Sequence, residues 1–105
     1  MSAAAADSRH SPLANTFARV PEHVVYRPFP HETVVLNLET GKYHGLNPTA
    51  GRMLELLERG LSIGETAETI AAEYQRPLAD VERDLQAFCA DMRARGLIEL
   101  TDGRS

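Results

Sequence analysis

The chain has 105 residues and a formal net charge of −4, which leaves room for one domain. The negative charge argues against a general affinity for nucleic acid or anionic membrane surfaces. No segment approaches the roughly 20 apolar residues that a membrane span requires, and a single cysteine cannot form an internal disulfide. We therefore expect a cytoplasmic protein in which Cys89, placed among apolar helix positions, is buried and reduced.

Both ends of the chain are predicted to be polar tails. Residues 1–20 open with small, charged and proline residues that have no apolar periodicity, and residues 101–105 are again polar. The folded domain is therefore predicted over residues 21–100.

Strand patterns precede the helix patterns along the chain. Residues 24–26 form a β-type run that is closed by Pro28 and Pro30. Residues 33–38 read as a second strand with alternating apolar positions. The side chains on one face of this second strand are Val34, Leu36 and Leu38.

A tight hairpin links the second strand to a third. Residues 39–42 form the turn, because Gly41 supplies the positive φ that such turns need. Residues 42–46 return as the third strand. Three consecutive short strands with tight links predict an antiparallel meander.

Two helices are predicted next. Asn47 can cap the first helix, Pro48 suits its first position and Gly60 ends it. Ser62 and Glu65 have the spacing of a capping box that opens the second helix. The apolar positions of the first helix are Ala50, Met53, Leu54 and Leu57. The predicted inward positions of the second are Ile63, Ala67, Ile70, Ala71 and Tyr74.

The third helix is the longest. It follows Pro77 and is stopped by Gly96, and residues 97–100 form a short extended segment that packs back on the core. Its apolar stripe consists of Leu78, Val81, Leu85, Phe88 and Met92, with Cys89 beside it. The predicted fold class is α+β: a three-stranded antiparallel meander followed by three helices that cover it, similar to a winged helix.

Catalysis finds little support in the sequence. No two of the histidines have metal-ligand spacing, and no base accompanies Cys89. We therefore predict a protein that is not an enzyme and that holds neither a metal nor another cofactor; a small enzyme is the weakest alternative. The histidines are His10, His23, His31 and His44.

The edge of the meander is more informative. The third strand carries no proline, and Gly45 removes a side chain where another backbone could approach. This favours the addition of an extended peptide beside residues 42–46, over a groove floored by the third helix. The alternatives are that the edge is covered by the tail or pairs with a second copy in a homodimer, and that Phe88 and Leu85 are ordinary core residues.

Residues 35–50, Val-Leu-Asn-Leu-Glu-Thr-Gly-Lys-Tyr-His-Gly-Leu-Asn-Pro-Thr-Ala, resemble the PqqD-like family. The resemblance rests on the ordered series of turn, Tyr-x-Gly-Leu-Asn and helix boundaries, and it covers roughly residues 24–98. It implies a recognition domain that binds the leader of a ribosomally made peptide beside the third strand, facing the third helix.

Carried over by position, the resemblance assigns residues to three roles. The pairing strand would be Lys42, Tyr43, His44, Gly45 and Leu46. The groove would be lined by Val81, Leu85 and Phe88. The leader's charges would be read by Glu82, Arg83 or Asp84. His44 departs from the family pattern, in which an aromatic residue is common, and this departure bears on which leader side chain is accepted.

The resemblance also implies an enzyme partner, which would be either a radical SAM enzyme or a leader protease with a cyclase. The sequence leaves this choice open.

A winged-helix DNA-binding regulator is the alternative function. Residues 62–100 resemble a helix-turn-helix followed by a wing, but they hold four arginines against eight acidic residues. A recognition helix that opens with Asp80, Glu82 and Asp84 would repel phosphates.

Overall fold

The computed structural model describes residues 14–102, which form five strands and three helices. The elements in chain order are β1 (Thr16–Arg19), β2 (Val24–Pro28), β3 (Thr33–Asn37), β4 (Tyr43–Leu46), α1 (Pro48–Glu58), α2 (Ile63–Tyr74), α3 (Leu78–Ala94) and β5 (Glu99–Asp102). One sheet has the order β2-β3-β4, and β1 pairs with β5 in a separate two-stranded ribbon. The predicted α+β class, with an antiparallel meander followed by three helices, is confirmed.

The β3–β4 hairpin forms as its residues predict. Gly41 has a φ of +75°, and the Asn37 side-chain oxygen accepts hydrogen bonds from the backbone N–H groups of Glu39 and Thr40. On β3, Thr33, Val35 and Asn37 are buried. The alternate positions Val34 and Leu36 therefore belong to the outer face of the sheet, which faces away from the helices.

Local capping fixes where the helices begin and end. The Asn47 side-chain oxygen accepts from the Ala50 N–H at 2.8 Å at the start of α1. Ser62 and Glu65 form the predicted capping box at the start of α2. Gly60 and Gly96 both adopt positive φ directly after the caps of α1 and α3, as the sequence indicates.

The core lies between the sheet and the three helices. Most of the predicted inward positions are buried, but Tyr74 is 40% exposed, so its assignment to the core is wrong. It is the last residue of α2, where the helix has passed the packed region. Thr66, one turn earlier on the same helix as Ile70, is fully buried instead.

The β1–β5 ribbon corrects the predicted tails. Residues 16–19 lie in the range assigned to the N-terminal tail, and residues 101 and 102 in the C-terminal one, yet they pair in register from Thr16↔Asp102 to Arg19↔Glu99. Each strand has only four residues, and its partner lies at the far end of the chain, so local pattern does not reveal the pair. The remaining tail positions, 1–13 and 103–105, lie outside the described residues.

Within residues 14–102, none of the helices is long and apolar enough to cross a bilayer.

Candidate peptide-binding groove

β4 forms one edge of the three-stranded sheet, and its outer backbone groups are directed away from β3. The Asn37 N–H donates to the Lys42 carbonyl at 2.9 Å, so these two residues form a hydrogen-bonded pair. Such pairs alternate along an antiparallel ladder, so the next one joins Val35 and His44. The N–H and C=O groups of Tyr43 and Gly45 therefore point to the free edge. An added strand would pair with these groups.

A groove of about 480 Å³ lies between α3 and the segment that directly follows β4. Its apolar lining comes from Ala50 and Met53 of α1 and from Ala87 and Phe88 of α3. Asn47 and Thr49 add polar groups at the start of α1. An extended chain paired with β4 would therefore meet a partly apolar floor.

Ion pairs stand at the rim of this groove. Arg76 Nη2 lies 2.8 Å from Asp84 Oδ2, and Arg95 Nε lies 3.0 Å from Asp91 Oδ1. The side chains are 37–59% exposed, so each pair contributes little to stability. Their cations and carboxylates remain accessible to a charged ligand.

His44 is joined to α3 through the second of these pairs. Arg95 Nη1 lies 2.9 Å from His44 Nδ1. A guanidinium can only donate, so Nδ1 accepts and the proton of the neutral imidazole is on Nε2. His44 thus ties the edge strand to the C-terminal turn of α3.

The structure brings some predicted site residues together and separates others. Asp84 and Phe88 line the groove, and His44 reaches α3 beside it. Val81 and Leu85 were predicted to line the groove, but both side chains are fully buried in the core. They support the groove from behind and present no surface to a peptide.

The other charged candidates on α3 point elsewhere. Glu82 lies in a cleft with Ser62 and Glu65, on the α2 side of the helix. Arg83 is 71% exposed and pairs with Asp80, one turn before it. On β4, Tyr43 is 74% exposed on the outer face, Lys42 is exposed just before the strand, and Leu46 packs against the core.

Sequence reasoning identified only part of the groove side of α3: Asp84 and Phe88 were predicted, whereas Ala87 and Asp91 were missed. The lining residues of this helix are Asp84, Ala87, Phe88 and Asp91. They have the i, i+3, i+4, i+7 spacing of a single helix face, next to the core face formed by Val81, Leu85, Cys89 and Met92. This spacing was the signal in the sequence for a second helix face. Because Asp84, Ala87 and Asp91 are small or charged, apolar periodicity alone does not identify that face.

A second groove, of about 740 Å³, runs between the β2 edge and α1. Burial and the Glu58 carboxylate, which accepts from the Tyr26 hydroxyl, raise the pKa of Tyr26. Arg52 makes two hydrogen bonds to Glu73, of 2.7 and 3.0 Å, which lower the pKa of that carboxyl. These contacts join β2 to α1 and α1 to α2, so we assign them a structural role.

Neither a metal site nor a nucleophile is apparent in the described part of the chain. Among residues 14–102, no three His, Cys, Asp or Glu side chains are grouped so as to hold a metal ion. Burial raises the pKa of the Cys89 thiol to about 11. A thiol with that pKa is a poor nucleophile near neutral pH.

The chain matches the model of one protein family and is similar to solved structures. The family described as coenzyme PQQ synthesis protein D (PqqD) matches residues 32–98. A solved structure described as TbiB1 in complex with the TbiA(beta) leader peptide is 36% identical, with a TM-score of 0.73 over 77% of this chain and 94% of that one. A lasso peptide synthetase B1 complexed with the leader peptide is 26% identical, with a TM-score of 0.73 over 78% and 96% of the two chains. No curated protein matches the chain.

Proposed function

Because the chain belongs to the PqqD family, we propose that it is a non-catalytic adaptor for a ribosomally made precursor peptide. It binds the leader segment of that peptide as a strand beside β4 and presents the remainder to a separate modifying enzyme. The two similar solved structures are both complexes with a leader peptide, which supports this role.

The observation that carries the proposal is the edge strand β4, which is followed directly by a partly apolar groove. Tyr43 and Gly45 direct backbone donors and acceptors outward. Phe88 and Ala87 supply apolar surface in the groove, which Asn47 joins to the end of β4. Main-chain bonds along an edge strand give affinity, while pockets for alternate side chains give specificity. We assign the rim charges of Asp84, Asp91 and Arg95 to the reading of leader side chains.

The enzyme partner is proposed to be a leader protease acting with a cyclase. The similarity to a lasso peptide synthetase B1 favours this choice over a radical SAM enzyme. The adaptor would hold the peptide close to the enzyme and so raise its effective concentration, which can increase the overall affinity by roughly 10²–10⁴ without a new contact.

Titration of the full chain with the leader segment of the precursor peptide encoded beside its gene tests the proposal. We expect saturable binding, with backbone amide shifts concentrated at residues 43–46 and along the groove face of α3. Gly45→Pro should weaken binding about tenfold or more, because the ring removes an outward N–H and blocks the approach of a strand.

Gly45→Ala is the matched control, because it keeps the N–H. The added Cβ would lie 2.8 Å from Glu32 Oε1, the end of an exposed side chain that can move away. This variant should bind the leader within about threefold of the unmodified chain. Equal affinity for the proline variant, with its fold confirmed by amide spectra, would contradict pairing at β4.

A further inference from the structure

The Glu32 carboxylate lies over Gly45, on the outer face of the sheet. His44 contacts α3 and Leu46 packs against the core, so a side chain at position 45 would project to the opposite, outer face. A Cβ at Gly45 would lie 2.8 Å from Glu32 Oε1 and 4.0 Å from its carboxyl carbon. Among the described residues, no other atom outside the chain neighbours of Gly45 comes within 4 Å. The carboxylate therefore occupies the space that the glycine leaves open.

This carboxylate has no partner in the part of the chain that the structure describes. Glu32 is exposed in the turn between β2 and β3, where its carbonyl accepts from the Phe29 N–H at 2.7 Å. Within residues 14–102, its side chain forms neither an ion pair nor a hydrogen bond. Arg27 belongs to the same cross-strand row as Gly45, two strands away, but is not paired with Glu32. The negative charge is therefore available to a ligand at the β4 edge.

A strand added at β4 would bring one side chain beside this carboxylate. Residues that stand opposite each other on neighbouring strands project to the same face, whether the strands are parallel or antiparallel. The leader residue beside Gly45 would therefore project to the outer face. The residues before and after it would project toward the helices and the groove.

The distance favours a long side chain at that leader position. Opposed Cβ atoms on neighbouring strands are about 5 Å apart, so Glu32 Oε1 would lie within about 8 Å of the leader Cβ. Lysine and arginine can cross this gap and present a cation to the carboxylate. Tyr43, two residues before Gly45 on the same face and 74% exposed, offers an aromatic surface to the stem of such a side chain.

We propose that Glu32 is a specificity-determining residue that selects a leader with lysine or arginine beside Gly45. This inference rests on the proposed function, because a leader paired with β4 is what brings a side chain to this position. The two faces of the added strand are then read separately: the groove meets the inward side chains, and Glu32 meets an outward one. Gly45 both admits the leader backbone and leaves room for the carboxylate.

The test compares Glu32→Gln and Glu32→Lys in the full chain with the control Glu22→Gln. Glu22 is also exposed, but it precedes β2 and so lies at the other end of the sheet. Fluorescence anisotropy of the labelled leader gives the affinities at about 10 mM salt, where screening is weak. We expect binding to weaken about threefold for Glu32→Gln and about tenfold for Glu32→Lys, which replaces attraction by repulsion. Glu22→Gln should stay within about 1.5-fold.

A panel of leader peptides, in which each Lys or Arg is replaced in turn by Gln, identifies the partner of Glu32. One of these peptides should bind the unmodified chain about threefold more weakly than the native leader does, yet bind Glu32→Gln as well as the native leader does. This coupling should vanish at about 1 M salt. Because the panel also uses the unmodified chain, half of the test does not depend on the folding of a variant.

Equal leader affinity for Glu32→Lys and the unmodified chain would overturn the inference, as would a panel in which no Lys or Arg is coupled to Glu32. In both cases the leader still binds, so the proposed function stands. Absence of leader binding by the unmodified chain would instead contradict the proposed function, and this inference with it.

Discussion

Cys89 shows how a residue that draws attention in the sequence can be chemically silent in the fold. It lies on the core face of α3 with Leu85 and Met92, and none of its surface is exposed. Burial raises the pKa of its thiol to about 11, so the protonated form dominates below that pH. The side chain therefore acts as a small apolar group.

We expect the Cys89 thiol to resist a disulfide reagent such as DTNB at pH 8 in the native protein. In urea the same thiol should react within seconds to minutes, because unfolding restores both access and an ordinary pKa near 8.5. Absorbance of the released thiolate measures both rates. Rapid labelling without denaturant would show that the thiol is accessible and would reopen the enzyme alternative.

Under the proposed function, both stability and peptide recognition depend on α3, because two neighbouring faces of this helix have different roles. The face with Val81 and Leu85 is fully buried, and the face with Ala87 and Phe88 lines the groove. Substitutions on the first face act through unfolding, so they cannot report on peptide binding. Substitutions on the second face can change peptide binding without changing the stability of the fold.

Ala87→Arg should weaken leader binding about tenfold while leaving the unfolding midpoint nearly unchanged. Ala87 is exposed and lines the groove, so the long side chain would occupy the space of the peptide without entering the core. Ala90→Arg is the matched control, because Ala90 is exposed on the same helix but outside the groove lining. Fluorescence anisotropy of a labelled leader gives both affinities. Equal losses in the two variants would indicate a general effect of charge and would argue against the groove.

The elements that the sequence predicted well are those set by neighbouring residues. The Gly41 turn, the Asn47 cap and the Ser62–Glu65 capping box each depend on groups within a few residues, and all are confirmed. The side of α3 that lines the groove was predicted less well. Helical periodicity identifies an apolar face, but whether that face meets the core or a peptide depends on the tertiary arrangement. Val81 and Leu85 were therefore expected at the groove, whereas they lie on the adjacent core face.

At the scale of the whole molecule, the feature that the sequence did not predict was the β1–β5 ribbon. Arg19 and Glu99, which form an ion pair of 2.7 Å across it, are 80 positions apart in sequence. Ala18 on β1 is buried, and Leu97 and Ile98 are buried just before β5. The Gly64 N–H also donates to the Ala14 carbonyl at 3.0 Å, which holds the segment before β1 against the start of α2. The two ends of the described chain thus belong to the folded domain.

Ala18→Asp should lower the free energy of unfolding by about 2–4 kcal/mol, because it places a charge without a partner in the core. Arg19→Ala is the control: its ion pair with Glu99 is 61% and 51% exposed, so its loss should cost less than about 1 kcal/mol. Urea unfolding followed by circular dichroism measures both. A small effect of Ala18→Asp would mean that the ribbon is dispensable and that the domain begins near residue 21.

The register of the ribbon also bears on how such a unit can be built into larger proteins. Thr16 and Asp102 stand directly opposite each other, so the entry and exit of the described chain lie side by side, and the β4 edge belongs to a different sheet. A domain with adjacent ends can be inserted into a surface loop of a host enzyme through two short linkers, because the host loop is hardly stretched. Under the proposed function, peptide recognition would therefore be transferable between proteins: the ribbon would be the point of attachment, and the groove would stay accessible to the peptide.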